Sequence, residues 1–369
     1  MARPFICPSC LSRPSPFLRR QSRLKSTSST SASTASPTTY TPLSSLPPTS
    51  LSYYHDTHRP TPTQLSTANS LFTPSPPHTP VKLFSASKFR ETPLLDDSPI
   101  PEVAFLGRSN VGKSSLLNAL MGKEMCYTSS KPGRTREMNA FGVGAKKGGG
   151  TGMDSKVVVL DMPGYGKGSR EEWGVEIMKY LRGRKQLRRV FLLVDAIHGL
   201  KPQDLQLLSL LRQSAIPHQT IVSKIDKILL PTGSTGKSHA ALAKRGVPES
   251  RVQELREVFE ELWRDVGTGA ILNDGPGVVG EILGCSAQTV VRGVGEGGGR
   301  GKVGNKEVGL ALGIEGVRWA VCVAAGIDGS VEAGREKVPV GGFMAPPPLY
   351  KEVDVEEGEG GEEGGSGRR

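Results

Sequence analysis

The segment that decides the fold reads VAFLGRSNVGKSS and occupies residues 103–115. It satisfies the pattern G-x-x-x-x-G-K-[ST]; an apolar run precedes it, and Leu116, Leu117 and Leu120 follow at helical spacing. A strand, a glycine loop and a helix in this order predict a phosphate-binding loop. Successive backbone N–H groups and the positive end of the helix dipole then face a polyphosphate. We therefore expect the chain to bind a nucleoside triphosphate.

The residue types of this loop suit that role. Two glycines let the backbone curl around phosphate oxygens, Lys113 would reach the β- and γ-phosphates, and the Ser114 hydroxyl would ligate Mg²⁺. The nucleotide-binding residues predicted from the loop are Gly107, Arg108, Ser109, Asn110, Val111, Gly112, Lys113, Ser114 and Ser115.

Two later segments would complete the phosphate and metal site. One is the polar stretch PGRT at residues 132–135, whose Thr135 would cap the metal in the triphosphate state. The other is DMPG at residues 161–164, after an apolar run; Asp161 would hold Mg²⁺ through water and the Gly164 amide would sense the γ-phosphate. Gly133, Thr135, Asp161 and Gly164 thus join the predicted nucleotide contacts. The predicted catalytic residues are Lys113, Thr135 and Gly164, and the predicted metal ligands are Ser114, Thr135 and, through water, Asp161.

The base is predicted from the pattern S-K-x-D at residues 223–226, where Ser223 opens the motif and Lys224 would lay its methylene stem across the base. The Asp226 carboxylate would accept from both N1–H and the 2-amino group of guanine. Adenine offers neither donor, so the site would prefer GTP over ATP. A strand at residues 282–287 would place the backbone of Cys285, Ser286 and Ala287 at the guanine carbonyl.

Alternating strand and helix patterns predict an α/β domain of three layers over residues 81–330. We expect a mostly parallel sheet of about six strands, with helices on both faces and one antiparallel edge pair formed by residues 138–143 and 156–161. Residues 81–84 would be an edge strand or a short helix, and residues 248–266 and 312–325 would be core-packed helices. Low-complexity insertions are predicted near residues 144–155, 231–245 and 291–308.

With these motifs, the chain resembles the EngB (YihA/YsxC) family of TRAFAC-class GTPases over roughly residues 80–330. The stretches that carry the resemblance are PEVAFLGRSNVGKSSLLNAL (101–120), KPGRT (131–135), DMPGYG (161–166), YLRGRKQLRRVFLLVDAIHGLKPQDLQLL (180–208) and GIEGVRWAV (313–321). The resemblance implies a P-loop GTPase fold, GTP/GDP and Mg²⁺ as ligands, and a monomer that acts in assembly of the large ribosomal subunit with its rRNA. One departure is Ser223, where relatives usually carry Thr or Asn; Ser keeps a hydroxyl, so guanine specificity should survive.

Turnover is predicted to be slow. Many GTPases follow D-x-x-G with a Gln that orients the attacking water, whereas this chain has Tyr165. In relatives with an N-V-G-K-S loop the Asn can coordinate K⁺, so Asn110 is either a potassium ligand or only a brace of the loop. The alternatives to a GTPase switch are a GTP-binding module with negligible turnover and an interaction protein of a cytosolic or membrane-trafficking pathway.

The two ends of the chain differ from its middle. Residues 1–80 are rich in Ser, Thr and Pro, and the first 50 contain Arg and Lys but no Asp or Glu. We expect a transit peptide to the mitochondrial matrix followed by an unpacked linker, although a disordered basic tail is the alternative. Residues 331–369 read as a disordered Gly/Glu-rich tail. No apolar run is long enough for a membrane span, and five scattered cysteines favour a reducing compartment.

The net charge of +11 makes RNA phosphates an attractive partner. The densest basic run is Arg182, Arg184, Lys185, Arg188 and Arg189. We interpret it either as an RNA contact or as a solvated helix face.

Overall fold

A nine-stranded mixed sheet carries the fold in the computed structural model. The structure describes residues 40–55, 57–75, 79–93, 100–128, 137–144, 154–165, 171–230, 246–267, 278–291, 302–303, 306–307 and 310–327. The strands are β1 (Tyr40–Thr41), β2 (Ser52–Tyr53), β3 (Val81–Ala86), β4 (Glu102–Gly107), β5 (Met138–Val143), β6 (Val157–Asp161), β7 (Leu187–Asp195), β8 (His218–Ser223), β9 (Val247–Pro248), β10 (Ile282–Val291), β11 (Lys302–Val303), β12 (Lys306–Glu307) and β13 (Leu310–Leu312). The α-helices are α1 (Pro62–Phe72), α2 (Lys113–Met121), α3 (Glu171–Gly183), α4 (Pro202–Gln213), α5 (Asp226–Leu229), α6 (Glu249–Val266) and α7 (Ile314–Ala325).

The centre of the sheet is parallel. Its five strands lie in the order β10-β8-β7-β4-β6, and each adjacent pair is parallel. Their carboxyl ends therefore meet at one edge, where ligands of open α/β sheets bind. Strand β4 is buried along its whole length, as expected for a strand covered on both faces.

Two apolar clusters fill the space on the two faces of the sheet. One contains Leu208 of α4 and Leu255 of α6, and the other contains Leu116 of α2 and Val317 of α7. Helices therefore cover both faces, which confirms the predicted three-layer α/β architecture. The apolar face predicted for α6 is buried throughout.

The edges of the sheet hold more strands than the sequence indicated. The antiparallel pair β5–β6 is confirmed, and β3 pairs antiparallel with β5 as an edge strand. At the other edge the antiparallel strands β2 and β13 flank β10, which brings the total to nine rather than about six. These two strands span only two and three residues, too short for an alternating pattern to be recognised.

The expectation that residues 40–80 form an unpacked linker is wrong for the described part of that segment. Helix α1 begins with a reciprocal capping box between Thr61 and Gln64 and buries Leu65, Ala68 and Phe72 along one side. Three apolar residues in a Ser/Thr/Pro-rich segment are too few for their spacing to predict a helix. They are sufficient because α7 supplies the other half of the contact, including a 2.8 Å hydrogen bond from Asn69 to Glu315.

A buried arginine connects this packing to the helix that follows the phosphate loop. Arg318 of α7 donates to the carbonyls of Leu120 (3.1 Å) and Ala119 (3.2 Å) at the end of α2, and to Asn69 Oδ1 (3.2 Å). Carbonyls at a helix C-terminus lack intrahelical donors and carry partial negative charge, so a cation satisfies both needs. The segment before the predicted domain is thus part of its structure.

Several predictions fall outside the described residues: the transit peptide, most of the three insertions and the C-terminal tail. Within the third insertion the structure describes a short antiparallel hairpin, β11–β12. Among the described residues, no helix has the length and apolarity needed to span a bilayer.

Candidate functional site

A cleft of about 600 Å³ opens at the carboxyl ends of the parallel strands. It brings together segments that are distant in sequence: the loop after β4, the end of the D-x-x-G segment, the S-K-x-D motif at the end of β8 and residues 285–288 of β10. The predicted binding residues that line it are Arg108, Ser109, Asn110, Gly112, Lys113, Ser114, Ser115, Gly164, Ser223, Lys224, Asp226, Cys285, Ser286 and Ala287. The structure therefore brings these residues together in one cleft, and their contacts with a nucleotide stay predictions.

The loop after β4 has the geometry of a phosphate cradle. Gly112 adopts a left-handed conformation with φ +101° directly before α2 begins at Lys113. A side chain is also excluded at Gly107, because a Cβ there would lie 2.7 Å from the Val111 side chain. The first helical turn, from Lys113 to Ser115, then faces the cleft with its free N–H groups.

Lys113 and Asp161 form an ion pair at the base of this loop. Both side chains are buried, with 6% and 3% of their surfaces exposed. The pair joins the start of α2 to the end of β6, the two elements that were predicted to hold the phosphates and the metal. Each of these buried charges is therefore stabilised by the other.

Ser223 braces the phosphate loop from the neighbouring strand. Its buried hydroxyl lies 2.7 Å from the carbonyl oxygen of Val111, to which it donates, and 3.2 Å from that of Val194. The Val111 side chain is buried in the core, so this predicted binding residue contributes its backbone. The Ser223 hydroxyl thus fixes the backbone of the phosphate loop.

Removing this hydroxyl should weaken nucleotide binding without affecting the fold. We expect Ser223→Ala to reduce affinity roughly fivefold, since one neutral hydrogen bond contributes about 1 kcal/mol, and Ser223→Thr to restore it. Isothermal titration with GTP and Mg²⁺ measures both. Ser70→Ala is the matched control, because Ser70 also donates to a carbonyl at 2.7 Å but lies on α1. Equal affinity for Ser223→Ala and wild type would contradict this role.

Lys224 crosses from the base motif to the phosphate loop. Its backbone is left-handed, with φ 61°, and its ammonium group donates to the Asn110 carbonyl (2.7 Å) and to Asp195 (2.8 Å). Burial alone would raise the pKa of Asp195, but the hydrogen bond and charge of Lys224, with His198, lower it to about 2. The carboxylate is therefore charged throughout the physiological range and holds Lys224 over the loop.

The side of the cleft that is predicted to recognise the base is formed by the start of α5 and by β10, which touch each other. Asp226 begins α5 and is 8% exposed, and the Ile225 amide donates to the Cys285 carbonyl at 3.3 Å. Burial, together with the Asp226 charge, raises the pKa of the Cys285 thiol to about 12. This buried thiol is therefore neutral and packs in the core beside Ser286 and Ala287 of the same strand.

The interpretation of the basic run needs correction at Arg184, and the Arg108 side chain is held by groups of the protein. The Arg108 side chain lines the cleft, but its guanidinium group is held by Asp204 at 3.0 Å and by the Gly199 carbonyl at 3.1 Å. Arg184 is buried and forms an ion pair with Glu102 at 2.8 Å, so it cannot belong to a solvent-facing RNA patch. Of the remaining run, Arg182, Lys185 and Arg188 are exposed.

Sequence patterns did not identify some cleft residues. Tyr127, Thr128, Lys227 and Gln288 line the cleft without belonging to a motif, although Tyr127 and Thr128 follow α2 and Lys227 follows Asp226. For Asp195 the only indication in the sequence was a polar residue at the carboxyl end of a buried strand. Gly133 and Thr135 lie outside the described residues, so their predicted roles stay predictions.

Comparison with known proteins agrees with this geometry. Residues 102–224 match the family model described as 50S ribosome-binding GTPase. The chain is 44% identical over 140 residues to the GTP-binding protein EngB of Rhodospirillum rubrum, covering 36% of this chain and 58% of that protein. It is 47% identical over 134 residues to EngB of Mesorhizobium japonicum, covering 35% and 63%.

The matches are thus partial in length: less than two thirds of these curated relatives is covered. The crystal structure of a probable GTP-binding protein engB aligns with 61% of this chain and 98% of its own, at 21% identity and a TM-score of 0.35. The matched segment runs from β4 through the phosphate loop to Lys224 and thus includes most of the cleft. Over this segment the chain is therefore similar in sequence to the EngB GTPases.

Proposed function

We propose that the protein binds GTP with Mg²⁺ in the cleft, hydrolyses it slowly, and acts as a nucleotide-controlled switch in assembly of the large subunit of the mitochondrial ribosome. The observation that supports GTP binding most strongly is the convergence of the phosphate loop, Gly164, the S-K-x-D motif and the segment of β10 at Cys285 on one cleft. No single motif specifies a guanine nucleotide as strongly as their combination.

Different residues of the cleft would bind different parts of the nucleotide. The N-terminus of α2 and Lys113 would hold the phosphates, Asp226 would accept the two guanine donors, and Lys224 would cover the base. The oxygen donors Ser114 and Asp161 have the chemistry that Mg²⁺ prefers, and we assign them, with Thr135, to the metal. When bound, Mg²⁺ neutralises phosphate charge during transfer.

The residue that follows Gly164 supports the proposal of slow turnover. Tyr165 occupies the position after Gly164, and its hydroxyl donates to Asp204 at 2.7 Å, so it is not directed at a water. A bound partner or K⁺ at Asn110 would then complete the catalytic site. Single-turnover rates in K⁺ and in Na⁺, with and without ribosomal large subunits, distinguish these triggers from a binding module with negligible turnover.

The ribosomal role rests on the description of the matched family and on charge. The family model carries the words 50S ribosome-binding, and the chain has a net charge of +11, which favours association with RNA. The mitochondrial assignment rests on the acid-free, Arg-containing first 50 residues.

Gradient sedimentation of a mitochondrial lysate tests this role directly. We expect the tagged full-length protein to sediment with the large ribosomal subunit in a non-hydrolysable GTP analogue and to move to the top of the gradient in GDP. Lys113→Ala should stay at the top in both nucleotides, whereas the matched variant Lys123→Ala, of an exposed lysine after the same helix, should behave like wild type. Identical sedimentation in both nucleotides, or absence from mitochondria, would refute the proposed role.

A further inference from the structure

The segment that contains Gly164 is fixed against the phosphate loop by backbone contacts. Ser109 N–H donates to the Tyr165 carbonyl at 3.2 Å, and Tyr165 N–H donates to the Gly107 carbonyl at 3.4 Å. A Cβ on Gly164 would lie 3.2 Å from the Ser109 hydroxyl, which shows how closely the two segments approach. Gly164 therefore lines the cleft through its position beside Ser109.

A cluster of three side chains, Tyr165, Asp204 and Arg108, connects the same segment to helix α4. The Tyr165 hydroxyl donates to one oxygen of Asp204 (2.7 Å), while the other oxygen pairs with Arg108 (3.0 Å) and accepts from the Lys201 amide (2.8 Å). Asp204 is 0% exposed and lies in the first turn of α4, whose Leu208 and Leu211 are in the core. A rigid helix is thus connected to the residue after D-x-x-G and to the first variable residue of the phosphate loop.

The protonation states agree with this connection. Burial, with the adjacent Asp204 charge, raises the pKa of Tyr165 well above its usual value, so the phenol stays protonated and donates. Burial also raises the pKa of Asp204, but the Tyr165 and Arg108 contacts oppose that shift.

We propose that Tyr165 and Asp204 are positioning residues that hold the Gly164 amide at the γ-phosphate end of the cleft, so that the cluster selects triphosphate over diphosphate. This inference rests on the proposed GTP binding. The Gly164 amide would contact only the γ-phosphate, whereas the phosphate loop holds the phosphates common to GTP and GDP. Loosening the cluster therefore affects the triphosphate complex and leaves the diphosphate complex intact.

Tyr165→Phe is the sharpest variant, because it removes one hydroxyl and keeps the ring. We expect its affinity for the imido analogue of GTP with Mg²⁺ to fall roughly tenfold and its affinity for GDP to stay within twofold of wild type. Asp204→Asn keeps an acceptor for Tyr165 but loses the charge that pairs with Arg108, so it should fall between wild type and Tyr165→Phe.

Tyr180→Phe is the matched control. Tyr180 is also buried, and its hydroxyl also donates to a carboxylate, Glu102, at 2.9 Å, but it does not line the cleft. It should lower thermal stability while leaving the ratio of the two nucleotide affinities unchanged. Equal losses for both nucleotides in Tyr165→Phe, or tighter triphosphate binding, would overturn the positioning role. Failure of the wild-type protein to bind either nucleotide would overturn the proposed function as well.

Discussion

Replacing Asp226 with Asn is expected to reduce GTP affinity on the order of 1,000-fold and to create affinity for xanthosine triphosphate. The carboxylate at this position would accept two hydrogen bonds from guanine, and an amide offers a donor where one acceptor is needed. Unpaired polar groups in a buried site are costly, and sites built on such pairing discriminate strongly. Xanthine carries a carbonyl in place of the 2-amino group, so the Asn amide would match it.

Titration of both proteins with GTP and with xanthosine triphosphate measures this exchange. Because Asp226 begins the short helix α5, a melting curve should accompany the titration to establish that the variant is folded. Glu249→Gln is the matched control: it also removes a carboxylate from the first turn of a helix, α6, but outside the cleft. GTP affinity within threefold of wild type in Asp226→Asn would show that another group recognises the base.

The second large effect is expected at Lys113. Lys113→Ala should lower affinity for the triphosphate with Mg²⁺ at least about 100-fold, since it removes charge-assisted hydrogen bonds to the phosphates. It should also destabilise the protein without nucleotide by roughly 3 kcal/mol, because Asp161 would be left as a buried charge with its cationic partner gone.

A double variant separates these two consequences. Lys113→Met combined with Asp161→Asn removes both charges, so the free energy of unfolding should return toward the wild-type value while triphosphate binding stays lost. Urea denaturation and nucleotide titration give the two readouts. Restored binding in the double variant, or normal binding in Lys113→Ala, would contradict the assignment of the phosphate loop.

How far the sequence predicts the site depends on whether a contact is local. The phosphate loop, its glycines and the start of α2 lie within a few residues, so fixed spacing predicts them. The Lys113–Asp161 pair could be inferred only because each residue belongs to a motif. The contact between Tyr165 and Asp204 joins residues 39 apart in sequence, and no pattern indicates which carboxylate the phenol reaches.

Charge patterns were less informative, because they do not distinguish an exposed side chain from a buried one. Arg184 lies in the same basic run as Arg182 and Lys185, yet it is 7% exposed and contacts Glu102. Composition also gave a wrong prediction at residues 40–75. Ser, Thr and Pro dominate there and predicted an unpacked linker, but a short apolar stripe on α1 packs against α7. Burial is decided by the partner element, and that partner, α7, is encoded more than 240 residues later.

The long sequence separation between α1 and its partner helix α7 determines the order in which the protein can fold during synthesis. Helix α1 is translated early, but Glu315, the partner of its Asn69, follows 246 residues later. An isolated helix of 11 residues is marginal in water, so α1 would remain unformed, with Leu65 and Phe72 exposed, until α7 leaves the ribosome exit tunnel. Closure of the N-terminal segment is therefore a late, long-range step, and a nascent chain that stalls before Ile314 exposes this stripe to chaperones and proteases.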